Sequence, residues 1–197
     1  MKMKLKIFFS FIFIILILSI ILSGCSTGTK YTYEEYKKIK AMEDNNSDDD
    51  KAQIADDEEA YSMQLSDFYA YLEEFRTIYT EHNNKLQPLM DSFDDEIQEI
   101  EKKKEYAEQI IDIEQDWISD LNNISVPDFV SSYHEYFQDF LNNERKFYEY
   151  FLEEDLDNAD DFALRSSESF NNSLIEMEEI KNRFNARASE LGVDAPF

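Results

Sequence analysis

The stretch Tyr61-Ser62-Met63-Gln64-Leu65-Ser66-Asp67-Phe68-Tyr69-Ala70-Tyr71-Leu72-Glu73-Glu74-Phe75-Arg76-Thr77-Ile78-Tyr79 decides the fold. Its residues Tyr61, Leu65, Phe68, Leu72, Phe75 and Tyr79 recur at alternating spacings of four and three. That spacing winds one apolar stripe along a helix, as in a coiled-coil seam; a half-buried strand would alternate every second residue. The stripe runs on through His82, Leu86, Leu89 and Phe93, across Pro88. Proline inside a helix removes a hydrogen bond and clashes with the preceding turn. Together with Asn83 and Asn84 it predicts a break between Asn83 and Pro88. One kinked continuous helix is the alternative, and the unbroken stripe speaks for it.

Three more helices follow. The second ends near Asn123, with Asp91 or Asp94 as its cap and a stripe of Phe93, Ile97, Ile100, Ala107, Ile111, Ile118 and Leu121 beside Trp117. Lys102, Lys103 and Lys104 follow Glu99 and Glu101 and are expected to form solvated pairs. The stretch Asn122-Asn123-Ile124-Ser125-Val126-Pro127-Asp128 is the clearest boundary, with proline and then an acid where a helix starts. The third helix runs to about Glu154, carrying Val130, Tyr133, Phe137, Phe140, Phe147 and Phe151, with Tyr136, Tyr148 and Tyr150 widening its aromatic face. A turn at Asp155–Asn158 precedes the fourth, where Ala163, Phe170, Leu174, Met177, Ile180, Phe184, Ala188 and Leu191 recur until Gly192 stops it. Helices of roughly 25 to 35 residues span about 40 to 50 Å each. Short connections make neighbours antiparallel, and lone amphipathic faces must meet. The expected fold is all-α, an antiparallel up-down four-helix bundle over residues 58–192 with a short tail, 193–197. A three-helix bundle with a kinked long first helix is the alternative.

Composition narrows function by exclusion. Glycine occurs only at Gly24, Gly28 and Gly192. Phosphate-cradling loops, dinucleotide-binding turns and nucleophile elbows all need glycine at tight positions, so its absence argues against most familiar enzyme architectures. The chain has 19 basic and 44 acidic residues, a net charge of −25. Such a charge argues against nucleic acid, whose binding needs a basic footprint. It argues equally against lying flat on anionic lipid.

The N-terminus reports location. Lys2, Lys4 and Lys6 precede the almost unbroken apolar run Ile7–Leu22, and then come Ser23, Gly24 and Cys25. The run is shorter than the ~20 residues a spanning helix needs and has the layout of a secretory signal. Leu22, Ser23, Gly24 and Cys25 resemble the lipobox of bacterial lipoproteins. The resemblance covers about the first 25 residues and implies that residues 1–24 are removed. Cys25 then becomes the first residue and carries a diacylglyceryl group. Loss of the three lysines takes the net charge from −25 to −28. Because Cys25 is the only cysteine, no disulfide can form within the chain. Residues 25–57 are expected to be a flexible tether. Its part from Glu43 to Glu59 has nine acids and one lysine, should be disordered, and extends by self-repulsion. Asp44-Asn45-Asn46-Ser47-Asp48 opens like a calcium loop, but the sixth position is Asp49 and the twelfth Ala55, which rules out an EF-hand.

No residue is assigned as catalytic, metal-ligating or cofactor-binding. Tyr79 and Ser131 stand three residues before His82 and His134, so neither histidine has the Glu-x-x-His spacing of ferritin-like di-iron sites. The pairs Asp94-Asp95, Glu153-Glu154 and Asp160-Asp161 point to different faces of a helix and are expected in solvent. The nine aromatics from Phe129 to Phe151 read as core, with an exposed sugar- or peptide-binding surface as the alternative. Ile124-Ser125-Val126-Pro127, His134 and two long helices also resemble helical extracytoplasmic lipoproteins of low-GC Gram-positive bacteria, some described as cell-wall-binding. The resemblance transfers no site residue. The expected function is a non-catalytic module on the outer face of the cell membrane, held by Cys25 and binding an unknown protein or the cell wall. A small-ligand- or cation-binding lipoprotein is the alternative, and a wall hydrolase the third reading. Ser26 leaves outer-membrane sorting in a didermic host open.

Overall fold

The computed structural model describes residues 48–95 and 97–197, with side chains from Asp56 onward. Cys25, the lipobox, the signal segment and most of the expected tether lie outside them. The described residues form α1 (Asp48–Asp94), α2 (Ile100–Leu121), a 3-10 turn (Asp128–Val130), α3 (Ser131–Leu152) and α4 (Leu156–Leu191), with no strand among them. The described residues are an all-α arrangement of four helices.

The helix count is as expected, but the first boundary is not. α1 is continuous through Pro88. Leu86 and Met90 face inward, at 0 % and 4 % exposure. Pro88 lies on the exposed side, and so does Asn84, four residues earlier. The carbonyl that loses its partner to proline therefore stands on the wet side of the helix, where water satisfies it at low cost. The break falls at Asp95–Glu99 instead. There the Ile97 backbone N–H donates to Asp95 Oδ1 at 2.9 Å, an aspartate-built turn that ends α1 without glycine or proline. Hence α2 starts at Ile100, after Asp91 and Asp94, and its stripe is rephased. Ile97 and Ile100, expected in the core, are 90 % and 55 % exposed, while Ala107, Ile110, Glu114, Trp117 and Leu121 are buried.

The chain divides into two compact units. The larger, Phe68–Ile180, contains parts of all four helices. Its contacts fix an up-down order. His82 on α1 lies beside Trp117 and Asp120 on α2, and Lys103 Nζ donates to the Phe93 carbonyl, so these helices are antiparallel. Gln138 bonds Asn122 at one end of the α2–α3 pair and Lys104 bonds Glu154 at the other. Phe140 meets Phe170 at 5.2 Å and Tyr150 stacks on Phe162 at 5.3 Å, which sets α4 antiparallel to α3. The centre is aromatic. Phe137 lies 4.9 Å from Phe75, 5.7 Å from Trp117, 5.5 Å from Phe140 and 6.4 Å from Tyr79, ring centre to ring centre. A second group joins Phe93 to Tyr148 and Phe151 at 5.1 and 4.8 Å. The aromatic band of α3 is therefore mostly core.

The other unit comprises the described residues up to Asp67 and Lys181–Phe197. Tyr61 packs on Phe184 at 5.9 Å, and Arg187 Nη2 reaches Asp57 Oδ1 at 3.4 Å. Residues from Asp48 to Glu59 are thus helical, where disorder was expected. The acids of this stretch lie on a helix that has Tyr61 to bury. At the other end Gly192 takes φ +69°, and the Val193 N–H donates to the Ala188 carbonyl at 2.9 Å. This left-handed residue is the helix stop expected there.

The substitution Pro88→Ala tests the displaced break. A helix interior prefers alanine to proline by about 3 kcal/mol, part of which the freer unfolded chain cancels. Urea unfolding should show a gain of about 1–3 kcal/mol with helix content undiminished. A turn at 83–88 would instead leave Pro88→Ala neutral or harmful.

Candidate functional site

The four-and-three spacing of α2 runs Ala107, Ile110, Glu114, Trp117, Leu121, and that of α3 runs Tyr133, Phe137, Phe140, Glu144, Phe147. Each sequence puts a glutamate where a core residue belongs. The antiparallel register, held by Asn122–Gln138 at one end and Lys104–Glu154 at the other, brings these two positions opposite each other. Glu114 is 0 % and Glu144 7 % exposed. Both oxygens of Glu114 and Oε2 of Glu144 are buried without a hydrogen-bond partner. No hydrogen bond of ordinary length and angle joins the carboxyls, yet they lie close enough to act on each other, and the contact raises Glu114 and lowers Glu144.

A carboxylate removed from water without compensation is costly, so burial favours the protonated form. Burial pushes Glu114 well above the ordinary carboxylate range, and the charge of Glu144 adds to it. Burial also pushes Glu144 up to about 7, a rise that the contact with Glu114 opposes and the charge of Asp94 supports. Arg145 is the one cation that opposes the shift at Glu114. Tyr79 and Tyr148 are raised by burial first and then by the charge of Glu144, so both phenols stay protonated. Tyr79 Oη and Trp117 Nε1 are buried and unpartnered as well. The group is thus two acids and two hydrogen-bond donors, enclosed by aromatic side chains.

Two further polar contacts cross the unit. His82 Nε2 lies 2.7 Å from Asp120 Oδ2, while its ring stacks on Trp117 at 5.7 Å and 10°. His134 Nδ1 lies 3.2 Å from Tyr71 Oη and the ring also bonds the Leu121 backbone. Burial lowers the His134 pKa, which favours the neutral ring as acceptor of the Tyr71 proton. His134 therefore ties α3 to α1 and to the end of α2. Among the described residues, no group of three or more His, Cys, Asp or Glu could hold a metal ion.

The acidic pairs lie as expected, with Asp95, Glu153, Glu154, Asp160 and Asp161 all exposed. Lys102 and Lys104 form exposed pairs with Glu105 and Glu154, as expected, while Lys103 Nζ donates to the Phe93 carbonyl. Sequence reasoning missed Glu114 and Glu144. The signal was present: Glu114 stands four after Ile110 and three before Trp117, and Glu144 four after Phe140 and three before Phe147. An apolar-only stripe skips both.

Replacing Glu114 by methionine, similar in volume, tests this geometry. With Glu144→Met beside it, so that neither carboxyl is left buried alone, urea unfolding at pH 8 should show a gain of about 1–3 kcal/mol, opposite to most core substitutions. A loss of that size would mean that the carboxyls are well bonded.

Compared with known proteins, the chain matches no family model, no curated protein and no solved structure.

Proposed function

We propose that this chain is a lipid-anchored extracytoplasmic protein whose helical bundle is a non-catalytic binding module for a protein or the cell wall. The observation that carries the reading is Leu22-Ser23-Gly24-Cys25 directly after the charged and apolar leader. Two acyl chains on Cys25 would hold the bundle at the membrane, since one chain alone binds only marginally. A net charge of −25 supports an outward-facing domain that does not spread on anionic lipid.

A second reading, a small-ligand- or cation-binding lipoprotein, draws on the buried carboxyls of Glu114 and Glu144. The hydrolase reading gains less from them. A polysaccharide needs a cleft, and Glu114 is wholly enclosed.

Fractionation of cells making the full chain or Cys25→Ala tests the anchor. The full chain should sediment with membranes, with a diacylglyceryl group on its N-terminal peptide, whereas the variant should be released. In-cell crosslinking of both forms then tests the module. One stoichiometric partner, lost with the anchor, is expected. Release of neither form, or an unmodified Cys25, would remove the lipoprotein reading. Melting that rises with calcium or magnesium would favour the second.

A further inference from the structure

We propose that Glu114 and Glu144 form one proton-binding site in the core of the Phe68–Ile180 unit, a coupled pair that keeps at least one proton while α2 and α3 are packed. Three observations converge on it. The helix register sets the two carboxyls opposite each other at enclosed positions. Three of their oxygens have no hydrogen-bond partner. Tyr79, 7 % exposed, feels the charge of Glu144, yet its Oη is also unpartnered.

A proton fits this site better than any other cation. Calcium takes about six to eight oxygen ligands and magnesium six. No third acid or histidine joins the two glutamates in a metal-binding group among the described residues. A proton needs neither a third ligand nor a cavity. Two carboxylates forced together out of water cannot both ionise cheaply, so one keeps its proton.

Burial raises both carboxyls, and the groups around them add to or oppose it, the contact with Glu114 itself lowering Glu144. From α1, Asp94 raises Glu144, and the neutral Tyr79 faces it. From α3, Glu149 raises Glu114, and Arg145 alone lowers it. Tyr148 on α3 stays neutral beside both acids. No group of α4 shifts either carboxyl. The folded unit therefore holds more protons than the unfolded chain above pH 4.5. Its stability is highest below that value and falls as pH rises through about 7, the reverse of a salt-bridged carboxylate. Acidification of the medium tightens the unit, and alkalinisation loosens the α2–α3 contact.

The test is a carbon-13 titration of the glutamate carboxyls in the full chain in detergent, alone and as Glu114→Gln and Glu144→Gln. In the unsubstituted chain, one carboxyl should titrate near pH 7 and a second also well above the ordinary carboxylate range. Glu144→Gln should weaken proton binding at Glu114 about tenfold or more, and coupling between sites is reciprocal. If every glutamate titrates in the ordinary carboxylate range, the proposal fails. Two high but independent midpoints, unmoved by the partner's substitution, would overturn the shared site. So would a midpoint that calcium or magnesium lowers, since the resident would then be a metal ion. Should a variant fail to fold, the unsubstituted chain still decides through its urea midpoint, which must fall between pH 5 and 8.

Discussion

The packing of Phe137 against α1 and α2 is the contact on which the larger unit depends. Its ring meets Phe75 of α1, Trp117 of α2 and its own neighbour Phe140, which in turn meets Phe170 of α4. With one cysteine, the chain has no internal disulfide to limit its unfolded state. Burial of large rings must supply that stability, and offset aromatic pairs add about 0.5–1.5 kcal/mol each beyond their area. The same contacts set the register of α2 on α3, so the position of Glu114 opposite Glu144 follows from aromatic packing.

A core assembled this way has no structural need for two carboxyls. Buried acids without partners lower stability, and leucine or methionine at either position would pack without penalty. They contrast with the acids elsewhere on the chain, which sit in solvent or in weak surface pairs such as Lys85–Glu81 and Arg165–Asp161. Glu114 and Glu144 have the character of groups retained for something other than stability. Together with the ring-stacked His82 and the cross-helix His134–Tyr71 contact, they make the interior of this unit unusually polar for its size.

Most of the fold was legible because its helices obey one rule, an inward stripe at spacings of four and three. The α1 stripe from Tyr61 to Phe93 told the truth, while Pro88 misled. The propensity rule prices proline in a helix without asking which side it faces, and here it faces water. The true break at Asp95–Glu99 was hidden because an aspartate side chain builds it. The Gly192 stop was readable, since its left-handed backbone is one that glycine adopts freely. The buried glutamates were missed for a different reason. Stripe reading assigns acids to the surface, and only the facing helix reveals that a glutamate occupies a core position. The proposed lipid anchor is the converse case, wholly a matter of sequence and outside the described residues.

The account's central claim is that aromatic packing fixes the α2–α3 register and thereby encloses the carboxyl pair. A double-mutant cycle between Trp117→Leu and Phe137→Leu, read by urea unfolding of the full chain, tests it most directly. Their rings lie 5.7 Å apart, and a coupling of about 0.5–1.5 kcal/mol is predicted. Strict additivity of the two losses would contradict the register and, with it, the meeting of Glu114 and Glu144.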